Sequence, residues 1–178
     1  RILKKYGADV IFADDLAKEI TEPDMPAYRK IIEHFGIEII GEDNRINRKK
    51  LAEIVFSNSE ELKRLNEITH SIVADMIEKL IKEYKSSGKK LVVVEAIVPV
   101  EHGFLDLVDT VWVVLADQST RIDRVMERSG LTYEEARQRI QSQLSDEMYK
   151  SIADKVIYND GALKELEEKV WGLLKDEK

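Results

Sequence analysis

The stretch "GADVIFADDLAKEI", Gly7 to Ile20, carries an apolar run, Val10-Ile11-Phe12, that stops abruptly on two adjacent carboxylates, Asp14 and Asp15. A continuous apolar run opened by a glycine reads as a buried strand. Leu16, Ala17 and Ile20 then begin a helical pattern. An Asp just before a helix accepts orphan N–H groups of the first turn, so one acid is explained as a cap. Two exceed that need. The carboxyl end of a strand in an open α/β sheet is also where such folds bind ligands, so the other acid can face a substrate.

Three further segments repeat the pattern: Leu91 to Val94 in "KKLVVVEA", Val111 to Leu115 in "TVWVVLAD", and Val156 to Ile157 in "ADKVIYND". Their apolar runs are continuous rather than alternating, which predicts strands covered on both faces. Helical patterns lie between them, so the strands are expected to form a parallel sheet of βα units. The interval from Leu16 to Ser87 is too long for one crossover and reads as an inserted helical lobe.

Within that lobe, Pro23 and Pro26 in "ITEPDMPAYRKIIEHFG" mark a turn, and Ile31, Ile32 and Phe35 form an apolar stripe on the next helix. "NRKKLAEIVF" follows, then a long helical pattern from Glu60 to Tyr84 with Ser57 and Glu60 spaced as a capping box and Gly88 as its stop. A second helical segment, Ser119 to Met148, is interrupted at "RSGLTYEE", where Gly130 ends one helix and Thr132 with Glu135 caps another. An amphipathic helix, Ala162 to Leu174, follows the last strand. "RILKKYG" reads as the last turns of a helix stopped by Gly7.

The 178 residues, 43% hydrophobic and 35% charged, suit one main domain, and no apolar run reaches membrane-spanning length. There is no cysteine, which excludes disulfides, thiolate metal sites and cysteine nucleophiles. A cytoplasmic location is the expectation. A net charge of -7 disfavours nucleic acid as a partner, so any anion site must be local.

One local concentration of positive charge exists. Five of the ten arginines, Arg121, Arg124, Arg128, Arg137 and Arg139, fall within nineteen residues. Arg121, Arg124 and Arg128 share one helix face and can converge on an anion, or they can pair with Asp123, Glu127, Glu134 and Glu135 as a solvated face. Glu95 ends its strand as Asp14 ends the first, either as a strand-end acid or near substrate or magnesium. His34, His70 and His102 are too scattered for a metal pair at helical spacing, and no protein ligand set for a metal is read. Asn159 is a turn former or a nucleotide contact. Strand-end acids, an arginine helix and an inserted lobe describe a phosphoryl-transfer enzyme with a lid. The glycine-rich phosphate cradle with its Lys and Ser or Thr is not found in these residues.

Over nearly its whole length the chain resembles the dephospho-coenzyme A kinases. "YGADVIFADDLA", "EPDMPAY", "HFG", "INRKKLAEIVFSN", "LNEITHSIV", "VEHGFLDLVDTVWVV", "RIDRVMERSGLT", "RIQSQ" and "ADKVIYNDG" carry the resemblance in the family's order. It implies an α/β, P-loop kinase-like parallel sheet flanked by helices, with an inserted helical substrate lobe and a helical lid. Residues 1–16, 87–118 and 151–178 would form the nucleotide-binding core, 17–86 the coenzyme-binding lobe and 119–150 the lid. The implied reaction moves the ATP γ-phosphate to the ribose 3'-hydroxyl of dephospho-coenzyme A, with Mg2+ as cofactor, in a monomer or small homo-oligomer.

The resemblance makes Asp14 the base that orients the attacking hydroxyl, leaving Asp15 to cap. It places Arg124 and Asn159 on the nucleotide, and Arg48, His70, Glu95, Glu101 and Gly103 in or beside the acceptor pocket. The family's first strand-end Asp is Phe12 here, its His-Pro pair is His70-Ser71, and its second strand-end Asp is Glu95. The Phe12 change removes an acid that helps position magnesium. "RILKKYG" matches the helix after the P-loop, so about twenty residues carrying that loop are expected upstream, and these residues without it are expected to be inactive. Another P-loop metabolite kinase and a non-catalytic regulatory module of the same fold are the competing readings.

Overall fold

The computed structural model describes residues 1–97 and 104–176. The chain forms two compact units: Leu3–Leu107 together with Arg1, and Val108–Lys178 together with Ile2. No helix among the described residues is long and apolar enough to cross a membrane.

In the first unit, helix α1 (Ile2–Lys5) leads into strand β1 (Asp9–Phe12) and helix α2 (Ala13–Glu19). Gly7 sits at φ +88°, and the N–H groups of Gly7 and Ala8 return to the carbonyls of Lys4 and Leu3, which closes the helix as the sequence predicts. Helix α3 (Pro26–Phe35), with Pro at its first position, and helix α4 (Arg48–Ser57) precede the 28-residue helix α5 (Ser59–Ser86). Strand β2 (Val92–Glu95) then pairs with β1 in parallel, Asp9 opposite Val92 and Phe12 opposite Glu95. The core joins these pieces. Ile11 of β1, Leu16 of α2, Ile31 and Phe35 of α3, Leu51 and Val55 of α4, and Ile68, Ile72, Ile77 and Ile81 of α5 belong to one buried cluster. The α5 residues recur at helical spacing, so one stripe of one helix serves every neighbour.

The second unit pairs strand β3 (Trp112–Leu115) with β4 (Lys155–Tyr158), also in parallel, Trp112 opposite Lys155. Between them lie helices α6 (Gln118–Ser129), α7 (Tyr133–Gln141) and α8 (Asp146–Ser151), and helix α9 (Leu163–Asp176) packs on β4. The expected helical segment 119–148 is therefore three helices, with a second break at residues 142–145 where Ser145 caps α8.

The strand pairs are parallel, as the sequence predicts, β1 with β2 and β3 with β4. Two expectations need correction. The strands are not covered on both faces along their length: Val114 is 56% exposed and Val156 36%. The cap of α5 is Asn58, whose carboxamide accepts the N–H of Glu60, while Ser57 is the last residue of α4 and bonds back to Glu53 and Ile54. A hydroxyl still inside the preceding helix finds local carbonyls before it can reach the next helix.

Two predictions follow from the helix ends. Asn58→Ala should lower unfolding stability by about 1 kcal/mol, and Ser57→Ala should change it by a few tenths at most, read from denaturant midpoints. At α7 the backbone N–H and the hydroxyl of Thr132 both donate to the Glu135 carboxylate, at 2.8 and 2.7 Å. The backbone bond, then the hydroxyl bond, hold the Glu135 carboxyl below its ordinary value. A lowered folded-state value means the cap is fully present above the unfolded-state value and is lost as pH falls through the folded one. The Thr132 amide should therefore titrate in the acidic range by NMR, and this titration should vanish in Glu135→Gln.

Candidate active site

Helix α2 begins directly off β1, so its first turn stands at the carboxyl end of the strand. Phe12 occupies the N-cap position without a side-chain cap, and Asp14 and Asp15 both lie inside the first turn. The expectation that Asp15 caps the helix is thus overturned. Asp15 is instead ion-paired with Lys18 at 3.0 Å, one turn along. A side chain already within the helix points along its outer face, away from the N–H groups that a cap must reach.

Asp14 faces a cleft of about 340 Å³ within the first unit. Three faces build it. Ala13, Asp14, Ala17 and Lys18 come from α2, Arg48 and Leu51 from α4, and Leu65, Asn66, Thr69, His70 and Val73 from α5. Each set has the i, i+1, i+4 or i, i+3 spacing of a single helix face. The floor is apolar, with Ile31, Ile46, Leu51, Leu65 and Val73, and the polar groups stand around it. This is the composition expected of a small-molecule site, apolar area for affinity and a few polar groups for orientation. Arg48 stands in the first turn of α4, whose N-cap Asn47 accepts the N–H groups of Lys49 and Lys50 at 3.1 Å. That cap fixes where the helix starts and so where Arg48 projects.

Three sequence-selected residues, Asp14, Arg48 and His70, meet in this cleft. Glu95 is exposed at the end of β2, in register with Phe12; the residues that follow it, Ala96 and Ile97, line the cleft while Glu95 itself does not. Glu101 and Gly103, like His102, lie outside the described residues. Lys18 and Asn66 also line the cleft and were not singled out from sequence. The signal was present: Lys18 is four residues after Asp14, and Asn66 four before His70, which puts each pair on one helix face. His34 is elsewhere, with Nε2 2.7 Å from a Glu61 carboxylate oxygen across α3 and α5.

In the second unit, Arg124 Nη1 donates to the backbone carbonyl of Asn159 at 2.7 Å, which ties α6 to the end of β4. Asn159 in turn donates its own N–H to the Leu115 carbonyl at 2.8 Å, continuing the β3–β4 ladder. Two residues chosen separately from sequence thus share one hydrogen bond. Arg121 does not join them. Its guanidinium makes a two-pronged pair with Asp146 of α8, at 2.9 and 3.1 Å, a partner from outside the acids its sequence neighbours offered. The expected convergence of Arg121, Arg124 and Arg128 on an anion therefore loses Arg121, which braces α6 against α8. Arg137 pairs with Glu134 at 3.5 Å on the surface.

Comparison with known proteins gives a consistent result. The family model for dephospho-CoA kinase (CoaE) matches residues 1–165. The chain is 40% identical over 174 residues to a dephospho-CoA kinase of Carboxydothermus hydrogenoformans, covering 98% of this chain and 84% of that one. It is 41% identical over 174 residues to one of Geobacter sulfurreducens, with 96% and 88% covered. Among solved structures, the dephospho-CoA kinase of Campylobacter jejuni superposes with a TM-score of 0.71 at 25% identity, and TT1252 of Thermus thermophilus with 0.75 at 29%. Each superposition covers 98% of this chain and 87% of the other. With a strand ending at a polar-rimmed cleft, and relatives matched along nearly all of its length, this chain belongs to the dephospho-CoA kinase family.

Proposed function

We propose that the cleft of the first unit receives dephospho-coenzyme A with its ribose 3'-hydroxyl against Asp14, and that Asp14 is the general base of the reaction. Family membership makes that reaction phosphoryl transfer from ATP, the last step of coenzyme A biosynthesis. The single observation that supports the site is the convergence of Asp14, Arg48 and His70 on one cleft. The Asp14 carboxylate accepts the proton of the 3'-hydroxyl as its oxygen bonds to the γ-phosphorus, while the bond from that phosphorus to the β–γ bridging oxygen breaks and ADP departs. Arg48 brings positive charge toward an anionic acceptor in a chain of net charge -7, and His70 offers a hydrogen-bonding ring at the cleft wall. Family membership also sets aside the other P-loop metabolite kinases; nothing in the geometry favours a regulatory module.

Arg124 is assigned to the ATP phosphates and Asn159 to the nucleotide side. The guanidinium has five N–H donors, and the bond to Asn159 uses one of them. The functional division we infer takes residues 1–16, 87–118 and 151–178 as nucleotide-binding core, 17–86 as coenzyme lobe and 119–150 as lid. Among the described residues no group of three or more His, Asp or Glu could hold a metal ion. A nucleotide-borne Mg2+ would take most of its ligands from phosphates and water and would need one or two carboxylates of the protein at most. Glu95, exposed at the end of β2, is the carboxylate assigned to it, and the ion would neutralise charge on the triphosphate.

Asp14→Asn in the full-length protein should lower kcat by about 10²-fold or more with the KM for ATP nearly unchanged, as loss of a general base requires. Turnover near wild type removes Asp14 from that role. Arg124→Lys keeps the charge but loses the planar fork, so a phosphate-binding Arg124 predicts a loss of at least about tenfold in kcat/KM, while Arg137→Lys stays near wild type. Equal behaviour of the two variants would reassign Arg124 to the surface.

A further inference from the structure

We propose that Lys18 binds the diphosphate of dephospho-coenzyme A, with helix α2 setting its distance from Asp14. The inference rests on the assignment of Asp14 to the 3'-hydroxyl. Asp14 and Lys18 lie four residues apart on α2 and both line the cleft. Four residues of helix rise about 6 Å and return to the same face. In the acceptor, the 3'-oxygen and the 5'-phosphate are separated by the ribose ring and one exocyclic carbon, which is a comparable span. A nucleoside whose 3'-oxygen meets Asp14 therefore presents its 5'-phosphate one helical turn away.

The electrostatics agree. The acceptor carries its permanent negative charge on the diphosphate, and Lys18 and Arg48 are the cationic residues that line this cleft. They come from different helices, α2 and α4, so they can take the diphosphate from two sides. Lys18 is held meanwhile by Asp15 at 3.0 Å, with the two side chains 59% and 70% exposed. An ion pair so exposed contributes little. The ammonium can leave Asp15 for a phosphate oxygen at small cost, and Asp15 competes with substrate for it.

The diphosphate takes no part in the bonds that form and break. Its contact is equally strong in the ground and transition states, so it belongs in KM rather than kcat. That separates Lys18 from Asp14 by experiment. Steady-state kinetics on the full-length protein compare Lys18→Gln, Lys18→Arg, Asp15→Asn and Asp14→Asn, each checked for folding by thermal melting. Lys18→Gln should raise the KM for dephospho-coenzyme A about tenfold, the worth of one charge-assisted hydrogen bond, with kcat and the KM for ATP unchanged. Lys18→Arg should recover most of that loss, and Asp15→Asn should lower the same KM below wild type by freeing the ammonium.

An unchanged KM in Lys18→Gln, or a loss confined to kcat or to the KM for ATP, overturns the diphosphate role. Should Lys18→Gln melt early, a folded Lys18→Arg variant decides, since a KM for dephospho-coenzyme A that stays raised about tenfold with the cation retained also overturns it. A slow Asp14→Asn beside a wild-type Lys18→Gln removes Lys18 and leaves Asp14 standing. A normal Asp14→Asn removes both.

Discussion

Parallel pairing of β1 with β2 constrains the first unit more than any other interaction. Two parallel strands cannot be joined by a hairpin and need a crossover. Here the crossover runs from Ala13 to Leu91, and the pairing sets Phe12 opposite Glu95 across it. Closing so long a connection costs conformational entropy, although the cost grows only slowly with length. The inserted helices offset it by sharing the strand's own core: Ile11 of β1 belongs to the same buried cluster as Leu16, Ile31, Leu51 and Ile77. Strand and lobe are therefore one packing problem. The cleft lies where α2, fixed to the end of β1, faces α4 and α5.

That arrangement leaves positive charge locally available in an acidic chain. Net charge of -7 gives a repulsive far field, yet binding depends on the few groups desolvated around the ligand. Several acids are paired with cations of the same unit. Asp15 holds Lys18, Glu78 holds Lys82 at 2.6 Å, Glu22 holds Arg45 at 3.1 Å, and Asp146 holds Arg121. Pairs of this kind contribute little stability where solvent reaches them. What they decide is which cations remain for a ligand: Arg121 is withdrawn into a two-pronged brace, while Arg48 and the weakly held Lys18 face the cleft.

Element type was legible in the sequence because hydrophobic period and terminal residues act locally. The runs at 10–12 and 91–94, the stop at Gly7 and the Thr132–Glu135 capping box all emerge from neighbours within a turn or two. What was misread depended on a boundary or on a distant partner. Ser57 was one residue too early to cap α5, and Asp15 one turn too far into α2, since a shift of one residue rotates a side chain about 100° around the axis. Arg121 found Asp146, 25 residues away, which no local spacing rule can supply. Lys18 and Asn66 could have been found by extending each chosen residue along its helix face. The motifs pointed to Asp14, Arg48 and His70 one by one, and a cleft is made of faces rather than of single residues.

The junction of β1 and α2 also gives a physical sense to the residue that departs from the family pattern. A carboxylate at position 12 would stand in register with Glu95, and like charges directly opposite on neighbouring strands repel. Phe12 removes that repulsion and brings a neighbouring cation instead: the Lys4 ammonium lies 5.0 Å from the centroid of its ring. The rung then carries one carboxylate, Glu95, with Asp14 just beyond it in the first turn of α2. Under the proposed function, a nucleotide-borne cation would then depend more on the phosphates for its ligands. On the proposed assignments, Asp14 would then be left free for the acceptor hydroxyl and Glu95 for charge on the metal side, one role at each strand end.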